Sequence, residues 1–348
     1  MGERGDIIKT MHREMAERNI VHSSRDYAIY DPTHEHTKPI VGRVIARGLS
    51  DELNDRHYLI VDALDGQALY VDIGLGEKTG PMPEGSIIRI TPKSVEPRQV
   101  DRTVTEIAAK NGGRYSVNLH LKYDPCASYD FAETHVRRLE AIRKVIGGAR
   151  HELDGTWIIA PDHLDRAAAY ERTLARQKPV IVDKLSSLSL EQQITANGAT
   201  WIDRQLVSNN PEPTRDSGFG HDMRDAMKRR QQWLIEQGLA KEQQGIITYS
   251  KNMPSTLQER ELSQIAGQIS KQTGLRQAEM FRGCSVEGKV TKILDLVSGK
   301  FALIERSLEF VLVPWRPILE KSIGKKVSGR SIGDEISWRI DRQRGLSR

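Results

Sequence analysis

Apolar and polar positions alternate over two stretches of the chain, one towards each end, and recur at helical spacing between them. In the first stretch VGRVIARGL, HYLIVDAL, ALYVDIG and SIIRITP follow one another from Val41, separated by turn pairs such as Asp65-Gly66. β-Branched residues in period-two alternation predict strands. In the second stretch VEGKVTKIL, KFALIERS, FVLVPW, KKVSGR and EISWRI repeat the pattern. Four or five short strands with tight turns predict a small barrel in each place. Laying VGRVIARGL over VEGKVTKIL, and YLIVDALDGQALYVDI over FALIERSLEFVLVPW, keeps the apolar positions in step, which reads as an internal duplication.

The helical stretches show an echo of their own. Asp6 to Asn19 carries Ile7, Ile8, Met11 and Met15 on one stripe, an amphipathic helix whose apolar side needs a partner and would drive self-association if left bare. Further on, THVRRLEAIRKVIGGA leads into RHELDGTWIIAP and a helix from Asp162 to Gln177. RDAMKRRQQWLIEQGLA leads likewise into KEQQGIITYS and a helix from Ser255 to Lys271. In each copy a basic helix stops at a glycine, Gly147 or Gly238, before a short hairpin, which is the order of a winged helix. The expected class is α+β, a multi-module chain with two small β-barrel-like modules flanking helical, winged-helix-like ones. The expected modules are 1–34 (helix and loop), 35–98 (β), 99–208 (helix-hairpin-helix), 209–278 (second winged-helix-like unit) and 279–348 (β with a basic tail). Asn209 to Pro213 reads as the linker between the two copies.

Charge adds a candidate chemistry. The formal net charge is +5, and from Arg316 to Arg348 nine basic residues face four acidic ones, so the excess sits at the C-terminal end. Concentrated positive charge favours a polyanion or an acidic protein surface. Arg137, Arg138, Arg143 and Lys144 on the first basic helix, and Arg224, Lys228, Arg229 and Arg230 on the second, are candidates for phosphate contacts that hold DNA without reading its sequence. The competing reading is a solvated helix face whose cations pair with neighbours such as Glu140, Glu171 and Asp225.

Motifs for catalysis are sparse. VDIGLGEKTGP, Val71 to Pro81, looks like a phosphate loop, but Glu77 separates the glycine from Lys78, and Gly80-Pro81 does not open a helix. A β-turn is expected there. His34-Glu35-His36 lies between Pro32 and Pro39 without a third ligand, and Cys126 and Cys284 lack CxxC partners, so no metal and no cofactor are expected. Asp162-His163 reads as a helix start capped by the aspartate. No run of about 18 apolar residues and no signal peptide is present, which predicts a cytoplasmic protein without membrane insertion.

Several of these stretches carry a resemblance. GERGDIIKTMHREMAER, VGRVIARGLSDELNDRHYLIVDALDG, NGGRYSVNLHL, FAETHVRRLEAIRK, DGTWIIAPDHLDRAAAYE, QWLIEQGLA and SGKFALIERSLEFVLVPWRPILEK resemble the C-terminal region of bacterial plasmid-mobilisation relaxases of the VirD-like and TraI-like kind, a region of unknown function. In that family the nicking domain, with its tyrosine nucleophile and metal-holding histidines, lies upstream. This chain is expected to start inside the downstream region, and neither His34-Glu35-His36 nor Tyr27 and Tyr30 match the catalytic segments, so no enzymatic role is carried over. The resemblance implies a non-catalytic accessory module of conjugation, with DNA, a relaxase nicking domain and the type IV secretion coupling protein as partners. It also marks Arg342, Arg344 and Arg348 in RQRGLSR as a candidate secretion signal. The rival expectation is a protein-interaction scaffold without DNA binding, or a truncated relaxase remnant.

Overall fold

The computed structural model describes residues 3–76, 82–278, 285–332 and 335–340. Ten α-helices and four sheets make up these residues, an α+β architecture. The chain divides into two units, Met1–Glu84 with Ile88–Lys184, and Gly85–Ile87 with Leu185–Arg348.

In the first unit α1 (Glu3–Glu17) precedes β1 (Tyr27–Ile29), β2 (Ile40–Asp51), β3 (Arg56–Ala63), β4 (Ala68–Leu75) and β5 (Ile87–Pro92). The strands form an open sheet of order β1-β4-β3-β2-β5 that a later strand completes, so the expected barrel is not closed. Period-two alternation gives β3 two apolar faces. Leu59, Val61 and Ala63 join Val44, Val71, Ile88 and Ile90 on one side, while Ile60 joins Ile45, Ala68 and Tyr70 on the other. Met11 and Met15 of α1 are fully buried against that second face. The stripe on the first helix is thus covered within its own unit, and the expected self-association through it loses its basis. Asp62 is buried on the helix side but paired, accepting from Arg43 Nη2 at 2.8 Å and lying 3.1 Å from His22 Nε2.

After β5 come α2 (Gln99–Lys110), β6 (Arg114–Tyr115), α3 (Val117–Tyr123), α4 (Tyr129–Val145), β7 (Arg150–His151), β8 (Trp157–Ile158), α5 (His163–Gln177) and β9 (Val180–Ser186), the sixth strand of the first sheet. Helix, strand, helix, helix, hairpin, with β6 pairing on β8, is a full winged-helix order. Ser116 and Ser128 cap α3 and α4 through their side chains, and Gly147 ends α4 at φ +84. Val104, Ile107, Tyr115, Leu139 and Trp157 form the core. Asp162 stands at the start of α5 but makes no cap; its carboxylate holds Arg166 Nε at 2.9 Å instead.

The second unit begins with α6 (Leu190–Ile194), α7 (Trp201–Val207), α8 (Gly218–Glu236), β10 (Ala240–Gln243), β11 (Ile246–Tyr249) and α9 (Met253–Thr273). Gly238 ends α8 at φ +71, and the tight hairpin turns on Gln244 and Gly245, both at positive φ. Residues 209–213 lie inside this unit, where Glu212 N donates to Gln205 Oε1 at 2.9 Å. Next come β12 (Arg276–Gln277), β13 (Ser285–Leu296), β14 (Gly299–Glu305), β15 (Glu309–Pro314), α10 (Pro317–Glu320), β16 (Lys326–Ile332) and β17 (Glu335–Ile340). Their sheet has the order β12-β15-β14-β13-β16-β17, also open.

That order repeats the first sheet strand for strand. In both, a short strand runs parallel to the fourth strand and antiparallel pairs follow. In both, a helix precedes that short strand and covers one face; α9 contributes Leu262, Ile265 and Ala266 over Leu303, Phe310 and Leu312. Arg43 faces Asp62 and Lys289 faces Glu305, and each register slips two residues later. The correspondence is one residue further along β13 than a direct overlay of the two strings places it. It matches Gly42 with Gly288, and a Cβ at either would sit 2.5 Å from the carbonyl oxygen of Asp62 or Glu305. Only glycine fits there.

Arg230 is fully buried, and its five N–H groups all find acceptors: Asp203 twice, and the carbonyls of Ile194, Ala196 and Gly198, at 2.8–3.1 Å. Asp203→Asn strands that cation, and chemical denaturation is expected to show a loss of about 3–5 kcal/mol. In the first winged helix, burial pushes the His120, His135 and His163 pKa values down, with His135 further depressing His120. The unfolded chain takes up these protons near pH 6.5 and the folded chain resists, so stability is complete above about pH 6.5 and falls as pH drops below it. His22, raised by its bond to Asp62, works in the opposite sense. Melting temperatures between about pH 7 and pH 5 should therefore fall less steeply in His120→Phe/His135→Leu than in the parent chain.

Candidate nucleic-acid interface

Helical geometry sorts the eight candidate cations. At about 100° per residue, Ala132, His135, Leu139 and Ile142 form the buried stripe of α4, and Arg137 points directly away from it. Asp130, Thr134, Arg137, Ala141 and Lys144 make the outward line. Arg137 is exposed and has no ion-pair or hydrogen-bond partner among the described residues. Lys144 is exposed and 3.6 Å from Glu140. Arg143 forks onto Glu140 with two 2.8 Å bonds, and these bonds, with Lys144 nearby, hold the Glu140 carboxyl down to about 2.

Arg138 has a different place. It donates to Asp101 at 2.9 and 3.0 Å and pairs with Glu171 at 2.8 Å, and Arg98 closes on the same Glu171 at 2.8 Å. Asp101 and Glu171 are buried, so Arg138 joins α2, α4 and α5 from the inside and is not offered to a phosphate.

On α8 the same sorting leaves less. Phe219, Met223, Ala226, Arg230 and Leu234 share the buried stripe. Arg230 is consumed there, stacked 4.1 Å over Trp233. Arg224 is engaged by Asp216, and Arg229 forks onto Glu191 at 2.5 and 2.9 Å with Asp225 nearby. Those bonds pull the carboxyls of Asp216, through His221 first and then Arg224, and of Glu191, through Arg229, below their ordinary range. Lys228 is exposed with no such partner among the described residues, but Asp225 and Glu236 lie along the same outward side.

The first copy also has a wing cation. Arg150 on β7 is exposed and unpartnered among the described residues, and the hairpin tip carries Leu153 fully in solvent. Arg150 was not among the cations picked out from the sequence, although a basic residue two positions after the helix-ending pair Gly147-Gly148 was its signal. The spacing 219, 223, 226, 230, 234 was likewise legible, and it puts Arg230 on the apolar stripe.

The other candidates separate. His34 and His36 share a loop with rings 5.7 Å apart, and no group of three or more His, Cys, Asp or Glu stands in a metal-holding arrangement among the described residues. Cys126 is exposed and free. β4 ends at Leu75; Glu77 to Pro81, Cys284, Arg342, Arg344 and Arg348 lie outside the described residues. No described helix is long and apolar enough to cross a membrane.

If phosphate competes with Glu140 for Arg143, Glu140→Gln should tighten binding of a labelled duplex and steepen its salt dependence by about one phosphate contact, a slope change near 0.9. The pair is exposed, so stability should shift by no more than about 1 kcal/mol. Fluorescence anisotropy over a salt series reads the first effect and urea unfolding the second.

A family model described as a protein of unknown function (DUF3363) matches residues 1–347, and the chain belongs to that family. No curated protein and no solved structure matches it.

Proposed function

We propose that this chain is a non-catalytic accessory module of conjugative plasmid DNA transfer that holds DNA through its first winged helix. The observation that carries the reading is Arg137, unpartnered among the described residues, at the centre of the exposed line of α4, beside Lys144 and the wing residue Arg150, within a complete winged-helix order. A helix with a wing beside it meets a duplex along the major groove and its flanking phosphates. Arg137, Lys144 and Arg150 suit backbone contacts, which position a protein without specifying sequence. Releasing Arg143 from Glu140 adds a fourth contact.

The resemblance of the chain to the C-terminal region of mobilisation relaxases supplies the biological setting. A relaxase nicking domain and the type IV secretion coupling protein are the proposed partners, with Arg342, Arg344 and Arg348 as the proposed secretion signal. The second copy favours another role. Its cations are largely tied to Asp216, Glu191 and Asp203, so α8 and its hairpin suit protein contact better than phosphate. That is the scaffold reading, confined to one unit.

The test is anisotropy of labelled single- and double-stranded oligonucleotides at roughly 50 and 150 mM salt. Binding by the parent chain should weaken steeply with salt, and Arg137→Glu/Lys144→Glu should lower affinity at least about tenfold, while Lys228→Glu changes it little. Binding unaffected by the α4 substitutions, or absent at low salt, rejects the DNA reading in favour of a scaffold, to be pursued by pull-down with the coupling protein.

A further inference from the structure

A second basic site lies in the first unit, away from the outward line of α4. Arg56, Asp72, Lys93, Arg172 and Arg176 are among the residues that line a cleft of about 560 Å³. Its floor is built rather than incidental. Arg56 donates one arm to the carbonyl of Arg176 at 3.0 Å, closing the C-terminal end of α5, and the other to Asp72 at 2.5 Å. Asp72 in turn accepts from Gly74 N at 2.8 Å. Gly74 has φ +73, and a Cβ there would lie 2.0 Å from the carbonyl oxygen of Gln177, so the end of α5 is seated directly on β4. On the opposite rim an Asp31 turn holds Thr33 through bonds of 2.9 and 2.6 Å, and Lys93 N donates to Pro179 O at 3.0 Å.

Over this floor stand Arg172 and Arg176, one helical turn apart on α5. Both are exposed, and neither side chain has an ion-pair or hydrogen-bond partner among the described residues. Among the described lining residues the one carboxylate, Asp72, is already held by Arg56, so it does not serve Arg172 or Arg176. Like charges in one concavity repel, and apolar walls focus their field, so the Arg172 and Arg176 pair favours an anion. The volume far exceeds one inorganic ion and falls in the range of small-molecule sites, and Pro32, Val95, Ala175 and Pro179 offer apolar surface to an organic body. Arginine forks match phosphate oxygens in pairs.

We propose that this cleft binds a small organic phosphate, with Arg172 and Arg176 on the phosphate group and the proline, valine and alanine walls against the organic part. The site rests on α5 and the first sheet, so it stands or falls independently of the DNA-holding role given to α4.

Isothermal titration of the full chain with a nucleoside monophosphate, the parent nucleoside and inorganic phosphate tests it, in low salt up to about 5 mM ligand. The monophosphate should bind saturably and the nucleoside not. Arg172→Glu/Arg176→Glu should weaken binding at least about tenfold. Ala175→Trp, which fills the cleft while keeping its charges, should weaken the monophosphate but spare inorganic phosphate. Arg137→Glu/Lys144→Glu should leave all of these values unchanged, which separates this site from the α4 face. No saturable binding of the monophosphate, or binding indifferent to the Arg172/Arg176 reversal, overturns the proposal. Binding seen only with an oligonucleotide overturns it too, because the phosphate recognised would then be that of a backbone.

Discussion

Burying a guanidinium costs more than almost any other side-chain placement, and both winged helices are organised around doing so. A desolvated cation is tolerated only where its donors are met by carboxylate and carbonyl oxygens in good geometry. Arg230 satisfies all five donors with Asp203 and three carbonyls that precede α7, so the chain between α6 and α7 has to hold those carbonyls in place. Arg138 joins Asp101 and Glu171, which belong to α2 and α5. In each copy the aspartate is the third residue of its helix and also accepts from the backbone N–H at the cap, Arg98 or Thr200. One carboxylate therefore starts a helix and neutralises a cation on the helix that packs across it. This coupling fixes which side of α4 and α8 is inside.

Once the inside is set, the outside is what remains. Turning Arg138 and Arg230 inward leaves Arg137 at the middle of the α4 surface and Lys228 at the middle of the α8 surface. Neighbouring carboxylates then separate the two copies: Glu140 restrains Arg143 at the edge of the α4 line, whereas Glu191 and Asp216 occupy the flanks of α8. Two helices of similar composition thus present different electrostatics, because an exposed cation already forked onto a carboxylate has little left for a phosphate.

The sheets show the same economy. Gly42 and Gly288 sit where the neighbouring strand passes too close for any side chain, next to the bulges at Val44/Ala46 and Val290/Lys292. A bulge bends its strand and increases its twist. Each sheet can then curve beneath the helix on one face while keeping an apolar second face, without closing on itself. The opposed pairs Arg43/Asp62 and Lys289/Glu305 occupy the same register in both, so the repeat extends from topology to individual cross-strand partners.

By itself the sequence determined most strands of the two large sheets, the first helix, and the two basic helices with the hairpin and helix after each, but it did not mark α2, β6, α3, β9, α6 or α7. Alternation marked the strands, the stripes marked the helices, the glycines after α4 and α8 marked where each helix stops, and the two echoes marked the repeats. These are local properties, written in spacing and backbone preference within one element. Tertiary structure alone decided that the strands stay as open sheets, that β9 returns from beyond the first winged helix to complete the first one, and that Arg138 and Arg230 belong to the interior. It also decided that Arg56, Lys93, Arg172 and Arg176, from distant parts of the chain, share one cleft. Sheet closure depends on which edges meet, and the role of a cation depends on which carboxylate reaches it. Both are set by residues far apart along the chain, where spacing carries no information.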